Sequence, residues 1–476
     1  MKKYFQFLCV LNFIFGCSIN NKTKPNVIFI LVDDLGWNDL GYSGSIFYES
    51  PNIDNLSNDS FQFINAYAAS PVCSPTRASI MTGKHPARVN ITDWIPGNDP
   101  KNRPLLGPQD LNELPLEETT IAEKLKEVGY KTFYVGKWHL GSKGFYPEDN
   151  GFDINIGGFE KGSPMGGYYS PYKNPMLEDG PEGEYLTDRL TDESIKLIKK
   201  HNKNVPFALF LSFYNVHTPI QANFRHLDYF NQKLSKMTDN VVRTKSEGEA
   251  ITRLNQTNTN YASMIYAVDE NIGKLIKNLK KNKLYENSLI IFTSDNGGLS
   301  TLKSKKFAPT SVYPLRAGKG WLYEGGIKIP QLIKIPGGNK NTKIKDLTVS
   351  YDLFPTILDF TGINYEMNID GISLMPILNS ENSKIDRNDF FWHYPHYHGS
   401  LWKPGSAIRS GDWKLVLHYE SNELELFNLK DDPGELNDVS SLFKEKKEQL
   451  LNQLNKMMKE TNANSVSINN SYQQVK

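Results

Sequence analysis

Cysteine is nearly missing from this chain, with three in 476 residues, and two of them, Cys9 and Cys17, fall within or at the end of an apolar amino-terminal run. Only Cys73 is left in the body, so an intrachain disulfide there is excluded. A lone thiol is either a buried, inert small hydrophobe or a residue kept for its chemistry. In an exported protein the second reading gains weight, because an unpaired cysteine is a liability under oxidising conditions. Charge imbalance is also lacking. Lys and Arg number 54 against 53 Asp and Glu, a net charge of +1, which removes any global basis for recognising nucleic acid or an acidic membrane. Anion binding must then be local. No apolar run is long enough to span a bilayer, and no internal repeat occurs. The chain is still long enough to bury a large core, with room for one large domain and a smaller one.

The amino terminus has the charge order of a leader. Lys2 and Lys3 precede the apolar run Phe5 to Phe15, so residues 1–16 are expected to be a secretory signal peptide, against the alternative of a buried amino-terminal helix. Ile14-Phe15-Gly16-Cys17 also resembles a bacterial lipobox, in which Cys17 is lipidated after cleavage. The expectation is export, either free in the periplasm or medium or lipid-anchored to the envelope. Any membrane contact would run through that anchor.

Asn26 to Val32 is a continuous β-branched, apolar run that suits a strand buried on both faces of a parallel sheet. Thr120-Ile121-Ala122-Glu123 has the form of a capping box, followed by Leu125 and Val128 on one helical face, Gly129 as a stop and a strand over Lys131 to Val135. Val205 to Tyr214 repeats the buried-strand pattern. A helix around Ala262 to Lys280, with Ile265, Val268, Ile272, Leu275 and Leu279 inward, leads into a strand over Ser288 to Thr293. Such alternation predicts an α/β fold with a large, mostly parallel sheet covered by helices over 25–380. A polar stretch around Leu378 to Asp389 reads as a boundary loop. Beyond it, short segments Asp389 to Tyr394, Ser406 to Ser410, Lys414 to Tyr419 and Leu424 to Leu429 alternate with turns. With a helix from about Ser441 to Glu460, whose apolar face is Leu442, Leu450, Leu454 and Met457, they predict a smaller α+β domain over 385–460 on an antiparallel sheet. Residues 461–476 are polar and expected to fray.

Two of the apolar strands end in oxygen ligands: Asp33-Asp34 after the first, and Asp295-Asn296 after Ile290 to Ser294. Carboxyl ends of parallel strands form the ligand-binding edge of such sheets, so the four side chains can converge. An all-oxygen set of that charge suits calcium, with magnesium second and zinc disfavoured. Either pair taken alone also reads as a tight turn. In Cys73-Ser74-Pro75-Thr76-Arg77, Ser74 can cap a helix and Pro75 can open it, setting Cys73 at a helix amino terminus where anions bind. Arg77 falls on the same face of the opening turn.

These strings carry a resemblance. Cys73-Ser74-Pro75-Thr76-Arg77 with Thr82-Gly83-Lys84 resembles the signature of the type I sulfatases of the alkaline phosphatase superfamily, and Gly129 to Gly141, containing Gly136-Lys137-Trp138-His139, resembles the second signature. Val216-His217-Thr218-Pro219, Gly318 to Gly326 and Asp352 to Thr356 extend the likeness, which runs from Pro25 to the end. It implies an alkaline phosphatase-like fold and a sulfuric ester hydrolase whose Cys73 is oxidised by a maturation enzyme to formylglycine (3-oxoalanine). The hydrated aldehyde of that residue is the nucleophile, and its remaining hydroxyl can later expel sulfate and restore the aldehyde. Residue by residue, the likeness assigns Asp33, Asp34, Asp295, Asn296 and the modified residue 73 to a calcium ion. It further assigns Arg77 to steadying the diol, Lys137 and Lys319 to gripping sulfate, His139 as a base and His217 as the acid for the leaving alcohol. Outside the motifs, such lysines and histidines would read as solvated or structural.

The likeness is to bacterial polysaccharide sulfatases, which points to a sulfated glycan of algal or host origin as substrate. Trp392-His393-Tyr394-Pro395-His396-Tyr397-His398 is a candidate for recognising it through His393, His396 and His398, since rings stack on sugars and imidazoles bond hydroxyls. A structural aromatic strand is the alternative. Two rival functions are a formylglycine-dependent phosphonate or phosphodiester hydrolase of the same superfamily and a non-catalytic glycan-binding surface lipoprotein.

Overall fold

The computed structural model describes residues 24–303, 307–338, 341–380 and 382–472. The expected signal peptide and Cys17 lie outside them. Twelve strands build the two main sheets: β1 (Asn26–Val32), β2 (Phe61–Phe63), β3 (Lys131–Gly136), β4 (Ile154–Ile156), β5 (Phe207–Phe213), β6 (Ser288–Ser294), β7 (Gln331–Lys334), β8 (Thr342–Ile344), β9 (Asp389–Tyr394), β10 (Gly405–Ser410), β11 (Trp413–His418) and β12 (Leu424–Asn428). The first eight form one sheet in the order β8-β2-β7-β6-β1-β5-β3-β4. Only β7 runs against the others in it.

Every residue of β1 is buried, and the two-residue period of a strand divides them between two cores. Ile28, Ile30 and Val32 pack with the helices Leu186–Lys200 and Thr259–Lys281. Val27, Phe29 and Leu31 pack with the helices Cys73–Thr82, Ile121–Glu127 and Leu353–Thr361 on the other face. Burying these six apolar side chains contributes roughly 10–15 kcal/mol before chain entropy is counted, as much as the whole net stability of a typical domain. The capping box forms as expected, with Glu123 N donating to Thr120 Oγ1 at 3.3 Å and Thr120 N to Glu123 Oε2 at 2.7 Å. All five expected inward residues of the long helix Thr259–Lys281 are buried.

The smaller sheet is the antiparallel meander β9-β10-β11-β12. Its alternation sends Phe390, Trp392 and Tyr394 toward the large body and Phe391 toward Leu450 and Leu454 of the helix Lys444–Glu460. Leu442, expected on that helix's apolar face, precedes the helix and is exposed. The polar boundary loop is fastened rather than free, since Arg387 holds Asp352 through two contacts of 2.7 and 2.6 Å. The tail differs most from expectation. Ser467–Ile468 pairs with Leu105–Leu106, and Asn469 is buried with its amide donating to Lys101 O and Arg103 O, so backbone pairing overrides the polar composition that suggested fraying.

Candidate active site

The register of the large sheet delivers the site. Val32 pairs with Ser294, so the next residues, Asp33 and Asp295, leave adjacent strand ends together. On the other side β5 continues into the turn that carries His217, where Asp33 N donates to Asn215 O at 2.7 Å. One strand further, Gly136 pairs with Ser212 and Lys137 N donates to Ser212 O at 2.8 Å. Four neighbouring strand ends therefore supply Asp295, Asp33, His217 and Lys137 at one edge.

Asp33, Asp34 and Asp295 are fully buried, and one carboxylate oxygen from each lies within 4.8 Å of the others. Asn296 Nδ2 donates to Asp34 Oδ1 at 2.8 Å and to Gly297 O at 2.9 Å, which fixes its amide. The amide oxygen of Asn296 and Oδ1 of Asp33 are buried without a hydrogen-bond donor. Oxygen atoms in that condition are costly unless a cation takes them up. The donor set thus fits a hard divalent ion such as calcium, held by Asp33, Asp34, Asp295 and Asn296. Burial, then the charge of Asp295, pushes the Asp33 carboxyl up. Burial also acts on Asp34, but Lys319 and the neighbouring cations outweigh it and hold that carboxyl below its ordinary range.

The cations of the site sit on these acids. Arg77 donates from Nε to Asp295 Oδ2 at 2.8 Å, with Nη2 at 2.8 Å from the same oxygen, and from Nη1 to Lys137 O and Ser212 Oγ. Lys137 Nζ is 2.7 Å from Asp33 Oδ2, and Lys319 Nζ is 2.7 and 2.9 Å from the two oxygens of Asp34.

Cys73 is the first residue of the helix Cys73–Thr82, which follows extended Val72 and closes on Gly83. The expected cap is absent. Ser74 is already inside the helix, and its hydroxyl donates to His139 O at 3.0 Å and accepts from Ile95 N at 3.1 Å, tying three segments together. The Cys73 sulfur is 3.3 Å from His139 Nδ1, while His139 Nε2 is 2.6 Å from Ile95 O. A carbonyl only accepts, so Nε2 carries the ring proton and Nδ1 faces residue 73 with its lone pair. Burial and then Lys137 pull His139 well below the usual imidazole range, and burial raises the Cys73 thiol. Gly162 leaves the room this ring needs, since a side chain there would collide with it. His217 Nδ1 lies 2.8 Å from Thr218 O and Nε2 lies 3.9 Å from Asp34 Oδ2. Burial, then Lys319, lowers its pKa to about 3.

A cavity of about 900 Å³ opens over Cys73, His139, His217 and Lys319. Of the three candidate sugar-binding histidines only His398 lines it, with Nδ1 2.7 Å from Ser400 Oγ. His393 does not, because the strand period that turns Trp392 and Tyr394 to the body turns it to the other face, where it meets Ser406 Oγ and Asn464 O at 2.7 Å each. His396 is also buried outside the lining, between Asp99 Oδ2 at 2.6 Å and Thr92 Oγ1 at 2.9 Å. Sequence reasoning missed Trp94, Arg103 and Trp402 on the walls. They sit in turn-rich stretches with no periodicity to mark them.

Residues 25–363 match the sulfatase family, and residues 317–464 match the N-sulphoglucosamine sulphohydrolase carboxy-terminal family. Mouse arylsulfatase J is 31% identical over 83% of this chain and 64% of its own length. An N-acetylglucosamine-6-O-sulfatase of Bacteroides thetaiotaomicron is 26% identical over 92% of this chain and 87% of its own. The crystal structure of Ps i-CgsB in complex with k-i-k-neocarrahexaose is 30% identical and superposes with a TM-score of 0.73 over 94% of both chains.

Proposed function

The chain belongs to the sulfatase family, and from that membership we propose that it hydrolyses sulfate esters of a sulfated oligosaccharide or polysaccharide, using residue 73 as the source of its nucleophile. The observation that carries the reading is the meeting of Cys73, at the head of its helix, with His139 at 3.3 Å beside a buried cluster of Asp33, Asp34, Asp295 and Asn296. The glycan class is carried over from the relatives, one an N-acetylglucosamine-6-O-sulfatase and another crystallised with neocarrahexaose.

A calcium ion held by Asp33, Asp34, Asp295 and Asn296 would supply positive charge to the sulfate oxygens as the ester breaks. Formylglycine made from Cys73 by a maturation enzyme would supply, once hydrated, an oxygen nucleophile of a kind serine lacks. The chain's own residues do the rest. His139, held by Ile95 O as the Nε2–H tautomer, offers Nδ1 to take a proton from residue 73. Lys319 lines the cavity and can pass its charge from Asp34 to an incoming sulfate, with Lys137 behind it on Asp33. Arg77 keeps Asp295 oriented beside the nucleophile position. His217 is neutral in the resting site because burial, and then the charge of Lys319, disfavour its cation; an anionic ester that draws Lys319 away favours a proton on Nε2, which can then go to the leaving alcohol.

Enzyme produced with a maturation enzyme should turn over 4-nitrophenyl sulfate, and peptide mass spectrometry across residue 73 should find an aldehyde that a hydrazide traps. Cys73→Ala should abolish turnover. Full activity with an unmodified thiol would refute the mechanism, and a faster rate on an aryl phosphodiester than on the sulfate would favour the phosphodiesterase reading. Export through residues 1–16, with Cys17 lipidated, belongs to the same proposal. Among the described residues no helix is long and apolar enough to cross a membrane. A protein anchored through Cys17 should be released from the envelope by Cys17→Ser.

A further inference from the structure

The cavity that opens over Cys73 is lined by four cations, Arg103, Lys161, Lys319 and Lys403, and three carboxylates, Glu113, Glu160 and Glu249. Lys319 is matched by Asp34, Lys403 lies 3.4 Å from Glu420, and Lys161 lies 4.0 Å from Glu160. Arg103 also lines the cavity, and among the described residues its guanidinium has no carboxylate partner. It stacks instead on Tyr397, 5.5 Å from the ring centroid. A planar, permanently charged fork resting on an aromatic face, with its donors open to a cavity, suits a carboxylate or a sulfate.

The guanidinium rests on a braced wall. Its own carbonyl and that of Lys101 each accept from Asn469 Nδ2 at 2.8 Å, and Asn469 N donates to Pro104 O at 2.9 Å. Ser467–Ile468 pairs with the two residues Leu105–Leu106 just beyond it. Tyr397 is fixed from below, its N–H donating to Asp99 Oδ1 at 2.8 Å. The carboxy-terminal strand thus fastens the segment that presents Arg103, and ordering it before the ligand arrives lowers the cost of binding. The cavity's 900 Å³ lies toward the upper end of the range for pockets that enclose a drug-sized molecule, so it extends well past a single sulfate group. Trp94, half-buried on its wall, offers a face for a sugar ring.

We infer that Arg103, resting on Tyr397 and braced by Asn469, forms a second anion subsite that selects glycans bearing another sulfate or carboxylate near the ester being cleaved. The subsite presupposes the sulfate-ester hydrolysis proposed above and narrows its substrate to multiply charged chains. Arg103 binds and does not take part in the chemical step, while Asn469 is a positioning residue.

The test is competition against 4-nitrophenyl sulfate turnover by carrageenan hexasaccharides of high and low sulfation and by a sulfate-free oligogalacturonate hexasaccharide. In the wild type, the densely sulfated chain should inhibit more strongly than the sparsely sulfated one. In Arg103→Ala its inhibition constant should weaken about tenfold beyond any change in the KM for the aryl sulfate. Arg103→Lys should recover part of the loss, and Asn469→Ala should raise the same constant while kcat for the aryl sulfate holds. A matching loss with oligogalacturonate assigns the site to carboxylates as well, and a loss confined to the sulfated chains assigns it to sulfate. Equal inhibition of wild type and Arg103→Ala, or no inhibition of the wild type, overturns the subsite. Absence of aryl sulfate turnover would instead refute the hydrolase reading. Calorimetric binding of the sulfated hexasaccharide, weakened in Arg103→Ala, then still reads the subsite.

Discussion

Arg77 and Asp295 are fully buried partners, and each also serves a different neighbour: Asp295 the oxygen cluster, Arg77 the carbonyl of Lys137. Removing the charge of one leaves the other stranded. Calcium should raise the melting temperature of the wild type and EGTA should reverse that rise; Asp295→Asn should erase it and cost about 3–5 kcal/mol in urea unfolding. An Asp295→Asn protein still stabilised by calcium would count against the assigned ion site. His393 gives a cleaner reading of pH. Burial lowers its pKa to about 3, below the ordinary imidazole value it regains on unfolding. A depressed value means stability that is complete above the unfolded pKa and lost as pH falls toward the folded one. Between about pH 6.5 and 3 that loss approaches about 1.4 kcal/mol per pH unit. The stability gap between wild type and His393→Gln should therefore shrink from pH 7.5 to pH 5.0, and a constant gap would mean that His393 has the same pKa in the fold as in the unfolded chain.

At the scale of elements, the helix Cys73–Thr82 carries both Cys73 and Arg77, and its direction is set where it stops. Gly83 has φ of 71°, and a Cβ there would lie 2.8 Å from Cδ1 of Phe354. Gly83→Ala combines left-handed strain with overpacking and should destabilise the protein by about 2–4 kcal/mol, measured by denaturant midpoint. Much of this level was legible in the sequence. Buried strands such as Asn26–Val32 and the helix Thr259–Lys281 announce themselves by apolar run and period, and Thr120 with Glu123 announces a helix start. The four oxygen-bearing side chains Asp33, Asp34, Asp295 and Asn296 could be paired because a parallel sheet aligns strand ends. Local rules failed where a longer-range contact competed. Ser74 looked like a cap, yet its hydroxyl is taken by His139 and Ile95. The polar tail looked loose, yet a partner strand far away in sequence captures it. His393 looked like a ligand because the string of histidines hides that alternate residues of a strand face opposite ways.

Across the whole molecule, the small sheet is joined to the large body by a buried ionic junction as well as by aromatic packing. Lys414 Nζ reaches Glu324 at 3.1 Å and Glu435 at 2.7 Å, Glu324 N donates to Glu435 at 2.7 Å, and Arg409 bonds the hydroxyl of Tyr67. Lys414 and both acids are buried. Lys414→Met should therefore cost about 3–5 kcal/mol and speed hydrogen exchange in β9 to β12 ahead of the large sheet. Simultaneous loss of protection in both would show that the aromatic contacts alone bind the two parts into one unit. The direction of the central strand has a further consequence. β1 enters the sheet at Asn26, whereas the cavity opens at the strand's carboxyl end, beyond Val32. A tether attached ahead of Asn26, whether a lipid or a bead, would hold the protein by its back. The entrance would then look outward, free to meet long chains arriving from solution.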